Sequence, residues 1–196
     1  MSKSERQVET VYPQNRSHWR RWLQSNYAIS SGAWLIYDKK GSGKQNLTYD
    51  EAVEEALCFG WIDSRPNTLN DDQWMQLFSP RKRKSPWSKL NKQRVEKLIE
   101  QGLMTPAGLE KIETAKKDNS WSLLDAIEEL KIPLDLEEAL AANDTAREYF
   151  MAFSPSSRKG ILWWIESAKR PATRAKRIQA TVTLAAQNIK ANYPRQ

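Results

Sequence analysis

Between Ser79 and Arg94 the chain reads SPRKRKSPWSKLNKQR: seven Lys or Arg residues, two prolines, one tryptophan and no acid. A cation buried without a partner loses its hydration at a large cost. Arg81, Lys82, Arg83 and Lys84 are therefore expected on the surface, projecting a dense positive field that attracts carboxylates and phosphates. A second cationic set lies near the C-terminus. Arg170, Arg174 and Arg177 stand at i, i+4 and i+7, a stripe opposite the apolar Ile178, Val182 and Ala185. That stripe reads either as an anion-binding face or as a solvated helix face offsetting acidic segments elsewhere.

Other chemistries find less material. In a strand, Asp63 shares a face with Trp61 and Arg65. A partly desolvated carboxylate has a raised pKa unless an arginine pairs with it. Asp63 is thus either half of a structural ion pair, with Arg65, Arg81 or Arg174, or a weak candidate for a general base. The segment KKGSGK has the glycines of a phosphate loop, but Gln45 stands where that motif requires Ser or Thr, so a strand-to-helix turn is expected. One histidine, His18, and one cysteine, Cys58, cannot assemble a zinc site or a Cys–His pair. No metal and no cofactor is expected. Leu98 to Lys117 has the outline of a helix-turn-helix, but Glu110 and Glu113 on its second helix would repel phosphates.

A chain of 196 residues, with nine tryptophans, has to position these groups, and it is long enough to bury a substantial core. Its net charge of +7 is unevenly spread. Residues 1–99 hold 17 basic and 11 acidic side chains, residues 100–148 hold 5 and 12, and residues 149–196 hold 9 and 1. An acidic middle between basic flanks implies internal neutralisation or flanks left to bind an acidic partner. The single cysteine excludes an internal disulfide. No apolar run approaches the roughly 20 residues of a membrane span. The N-terminal MSKSERQVETVYPQN lacks the apolar stretch of a secretory signal, so a soluble cytoplasmic protein is expected.

The elements follow from periodicity and punctuation. Asn15 to Asn26 predicts a helix with Trp19, Trp22 and Leu23 on one face. Ala33 to Tyr37 predicts a strand, and Thr48 with Glu51 a capping box opening a helix that stops at Gly60. Gly60–Arg65 and Gln73–Ser79 predict a hairpin. Ser85-Pro86, Thr105-Pro106 and Ser154-Pro155 are helix starts, Asp135 with Glu138 is a further capping box, and Gly102 and Pro171 are breaks. The expected fold is α+β: a small antiparallel sheet packed with helices in residues 1–84, and a helical region over 85–196 packed with it as one unit. Trp19, Trp22, Trp34, Leu57 and Ile62 are the expected core.

Three blocks, ALCFGWIDSR at 56–65, FSPRKRKSPWSKLNKQRVEKLIEQGLM at 78–104 and WWIESAKRPATRAKRI at 163–178, resemble the bacterial YdeI/OmpD-associated, or bacteriocin-protection, family. The resemblance extends over nearly the whole chain, including W-x-x-W-L at 19–23. It implies a role in envelope stress and protection against cationic peptides or bacteriocins, and it brings no established catalytic residues. The matching polar positions include Asp63, Ser64, Arg81, Lys82, Ser88, Lys89, Asn91, Lys169, Thr173, Arg174 and Arg177. If they converge, they form one electropositive site with Trp61 and Trp87 as apolar walls. Three functions are then in play. The first is a non-enzymatic stress protein binding an anionic ligand, a polyanion or a protein partner. The second is a small-substrate enzyme with Asp63 as base and Arg81 or Arg174 holding an anionic substrate. The third is non-specific nucleic-acid binding, for which the chain carries no RNP, KH or zinc-finger signature.

Overall fold

The computed structural model describes residues 8–39 and 47–193, so the Gly-rich turn at 40–44 lies outside the described residues. The fold is α+β as expected, with the sheet in the N-terminal half and helices in the C-terminal half. The chain forms two compact units, Met1–Ser122 and Leu123–Gln196.

The first unit is built on a sheet of β1 (Glu9–Val11), β2 (Ala33–Asp38), β3 (Trp61–Thr68) and β4 (Gln73–Pro80), in the order β1-β2-β4-β3. The sheet is mixed rather than purely antiparallel. β2–β4 and β3–β4 are antiparallel, but β1 runs parallel to β2, pairing Thr10 with Trp34. The reason is the connection: α1 (Arg16–Asn26) lies between β1 and β2, and a crossover helix returns the chain in the same direction. Between Asp63 and Pro66 the β3–β4 register shifts, a bulge that accommodates a proline inside an edge strand.

Helix starts agree with the caps. Asn15 Oδ1 accepts from the His18 N–H at 2.9 Å. Thr48 and Glu51 form both arms of the capping box of α2 (Tyr49–Cys58). Helices α1 and α2 pack through Trp19, fully buried, whose indole N–H donates to the Ala52 carbonyl at 3.1 Å. They are also clamped by Glu55, a buried acid that accepts from Arg16 at 2.6 Å and Arg20 at 2.7 Å. Trp19 and Leu57 are core residues as expected, while Trp22 and Ile62 are only partly buried against that core. Trp34 departs from the expectation. It alternates with the buried Ala33 and Leu35 and so faces the other side of the sheet, where the Arg65 guanidinium lies 5.6 Å from its ring.

Two helices complete this unit, α3 (Lys89–Glu100) and α4 (Pro106–Lys117). The start expected at Ser85-Pro86 falls instead at Ser88, whose hydroxyl caps α3, because Trp87 leaves the surface and takes a buried position. Helix α4 begins at Thr105-Pro106 as expected and docks very closely on the end of α2. The Thr105 N–H and hydroxyl both donate to the Cys58 carbonyl, at 3.1 and 2.6 Å. A Cβ added to Gly108 would lie 2.4 Å from that same oxygen, and one added to Gly60, at φ +72°, would lie 3.0 Å from the Ala107 carbonyl oxygen.

The second unit comprises α5 (Asp125–Glu128), α6 (Leu134–Ala141), α7 (Asp144–Ala152), α8 (Pro155–Glu166) and α9 (Pro171–Ala185) around Leu136, Phe150, Ile161, Ile165 and Ala185. Ser154 caps α8 and Pro171 opens α9. The capping box expected at Asp135 and Glu138 does not form. Pro133 occupies the cap position of α6, and the Asp135 carboxylate is engaged by Arg174. Among the described residues no helix is long and apolar enough to cross a membrane.

Candidate functional site

The basic run leaves β4 beside Gly60, where the Arg81 N–H donates to the Gly60 carbonyl at 2.9 Å. Because Gly60 also supports α4, the run and α4 are held against one another. Between them lies a cleft of about 340 Å³, lined by Arg81, Lys82, Arg83, Lys84, Ser85 and Trp87 on one side and by Glu110, Lys111, Thr114, Lys117, Asp118 and Ser120 on the other. Lys84 adopts a left-handed conformation (φ 59°), and its N–H donates to Asp118 Oδ2 at 3.1 Å, fastening the loop to the end of α4. Ser120 hydrogen bonds, with smaller help from the Lys84 N–H and the Arg83 charge, hold the Asp118 carboxyl below the usual carboxylate range.

Arg81 corrects the expectation of four equivalent surface cations. Lys82, Arg83 and Lys84 are exposed, but Arg81 is only 5% exposed. Its guanidinium lies 3.8 Å from the centre of the Trp87 ring, and Nη1 donates to the Pro86 carbonyl at 3.0 Å and, more weakly, to Ser85. Trp87, expected as a wall, is itself 1% exposed. It packs on Trp121 with ring centres 5.0 Å apart, and Lys92 and Lys116 lie over Trp121 at 5.3 and 5.8 Å. Cations therefore flank a pair of indoles on both sides, an arrangement the ring quadrupoles favour. Arg81 makes no ion pair among the described residues, and both its Nε and the Trp87 indole N–H are buried without a protein acceptor. Burial pushes the Arg81 guanidinium down to about 10, with the charge of Asp63 opposing the shift, so it stays cationic at neutral pH.

Asp63 does not form the expected ion pair. Its carboxylate accepts from the Tyr49 hydroxyl at 2.7 Å and from Gln76 Nε2 at 3.4 Å, while Arg65 stacks on Trp34 instead. Lys89 is exposed at the start of α3, and Asn91 is half-buried there with its side chain accepting from Arg94 at 2.9 Å. Neither lines the cleft.

The remaining sequence candidates belong to the second unit. Lys169 and Arg170 are exposed, and Thr173 is half-buried in the first turn of α9. Arg174 is committed internally, donating to Asp135 at 2.6 and 3.0 Å and to Glu166 at 2.9 Å. Arg177 donates to the Trp164 carbonyl and to Ser167 Oγ and lies over the Trp164 ring. Two members of the arginine stripe thus tie α9 to α6 and α8. Sequence reading missed Lys111, Thr114 and Lys117, although their spacing along α4 opposite Ile112 and Ala115 marks a polar face. Among the described residues no three His, Cys, Asp or Glu side chains cluster as metal ligands.

The match to known families divides along the chain. Residues 11–111, just over half of it, match the family Domain of unknown function (DUF8412), and the chain belongs to that family. Residues 129–188 match the family described as Bacteriocin-protection, YdeI or OmpD-Associated, which bears out the resemblance seen in the sequence. Of the three blocks that carried it, 163–178 lies in this second match, while 56–65 and 78–104 fall in the first. No curated protein and no solved structure matches the chain.

Proposed function

We propose that this protein, whose residues 129–188 match the bacteriocin-protection family, is a non-enzymatic binding protein acting in the cytoplasmic stress response. Its anionic partner is held in the cleft between the 81–87 loop and α4. The observation that carries this reading is Arg81. Among the described residues its buried guanidinium has no carboxylate partner and its Nε no acceptor, so a bound anion would supply the counter-charge and the hydrogen bond that the fold does not. Lys82, Arg83, Lys84, Lys111 and Lys117 line the same cleft and favour the same sign of ligand. The arginine stripe of α9 supports it less, since Arg174 and Arg177 already have partners. Asp63 does not line the cleft, so the general-base reading gains no support.

The test is a binding isotherm for pyrophosphate and for heparin at low and moderate salt, with the native protein and the triple variant Lys82→Glu/Arg83→Glu/Lys84→Glu. Arg81 is left out of the reversal because a glutamate there would be buried. The triple variant is expected to keep its thermal unfolding profile and lose at least tenfold in affinity. A native protein that binds neither anion at low salt, or a variant that binds as well as native, would refute the proposal.

A further inference from the structure

The basic cleft has a neighbour. On the far side of Lys111 lies a cleft of about 280 Å³, lined by Tyr27, Phe59, Gly60, Trp61, Pro80 and Ala107 among others. Glu110 and Lys111 line both clefts. The divide between them is thin. Pro80 lines one and Arg81 the other, and the Lys111 stem passes directly over Gly60, where an added Cβ would come within 2.6 Å of Lys111 Cγ. The two clefts therefore adjoin as one groove over the first turns of α4 only across Lys111, aromatic on one side and basic on the other, with the exposed Glu110 carboxylate and Lys111 at the junction. Together the two volumes fall within the roughly 300–1,000 Å³ of small-molecule sites.

We propose that this groove takes a nucleoside phosphate, a deepening of the anion-binding role that rests on that reading. Each part of the groove selects one part of such a ligand. The Arg81–Lys84 end takes the phosphates, which cations and hydrogen-bond donors hold. At the junction Glu110 accepts hydrogen bonds and Lys111 donates them, a pairing that suits the hydroxyls of a sugar. Tyr27, half-exposed with its ring 5.6 Å from that of Phe59, provides at the far end a flat apolar surface for a planar base. The floor is rigid, because Thr105, Gly108 and Gly60 fix α4 against α2 and β3. The groove is therefore formed before the ligand arrives.

Calorimetric titration of the full chain with adenosine diphosphate, pyrophosphate and adenosine tests this. Adenosine diphosphate is expected to bind at least tenfold more tightly than pyrophosphate. Ala28→Phe, which fills the rim of the aromatic end, is expected to erase that advantage and leave pyrophosphate affinity unchanged, with thermal unfolding confirming that the variant folds. Tyr27→Ala serves the same purpose if Ala28→Phe does not fold. Equal affinity for adenosine diphosphate and pyrophosphate would overturn the nucleoside assignment while leaving the anion site standing. An advantage that survives both variants would place the base elsewhere and overturn it as well. Failure of both phosphates to bind would bring down both readings.

Discussion

Replacing Arg81 by methionine separates a binding arginine from a structural one. A structural cation stabilises the fold through its partners, whereas Arg81 has a ring, backbone carbonyls and a serine but no carboxylate. Burial pushes its guanidinium down to about 10, and a depression of that size corresponds to about 3 kcal/mol against the charged form in the folded state. Against this stand a desolvated cation–π contact, about 2 kcal/mol, and one good hydrogen bond from a charged donor, about 1.5 kcal/mol. The two sides nearly cancel. Methionine keeps the length and packs on Trp87 without the charge, so Arg81→Met is expected to change stability by no more than about 1 kcal/mol in either direction. The same substitution should cost at least tenfold in pyrophosphate affinity. Urea unfolding and titration calorimetry on the two proteins provide the measurements. A stability loss above about 3 kcal/mol would refute the reasoning, since that is the range for breaking a buried charge that had a true partner.

Two further outcomes are expected. Gly108→Ala places a methyl 2.4 Å from the Cys58 carbonyl and should destabilise by about 1–3 kcal/mol in urea, as overpacking does; a neutral result would show that α4 can back away. The Arg174 hydrogen bonds hold the Asp135 carboxyl below its ordinary value, so the pair stabilises above about pH 4 and its contribution fades as pH falls through the depressed value. Asp135→Asn should therefore lower stability by about 0.5–1 kcal/mol at pH 7, the scale of a half-exposed pair, and its melting temperature should converge with that of the native protein in acid.

Helix positions were legible wherever a cap makes a local demand on the chain, as at Asn15, Thr48 with Glu51, Thr105 and Ser154. Caps mislead when tertiary contacts claim the same residues: Asp135 reads as a cap but is taken by Arg174, and Ser85-Pro86 yields to Ser88 because Trp87 is drawn inside. β1 escaped notice because three residues carry too little alternation, and its parallel direction follows from a crossover that no local pattern reveals. The candidate site was half visible. A charge run announces that anions are favoured, but it treats its four cations as equivalent. Which one turns inward depends on Trp87 and Trp121 meeting beneath it, a contact 34 residues long in sequence. The cleft's other wall was present as a polar helix face, with nothing in the sequence to say which loop it would oppose.

The irregular edge of the sheet bears on how the protein behaves in a crowd. An exposed edge strand is a template for the edge of another molecule, and continuous pairing along it seeds aggregation. Here β3 offers a bulge between Asp63 and Pro66, a proline without an N–H, and an arginine folded back over Trp34. At the opposite edge β1 runs for only three residues. Among the described residues neither edge offers a long, regular row of free donors and acceptors, which disfavours edge-to-edge pairing between molecules.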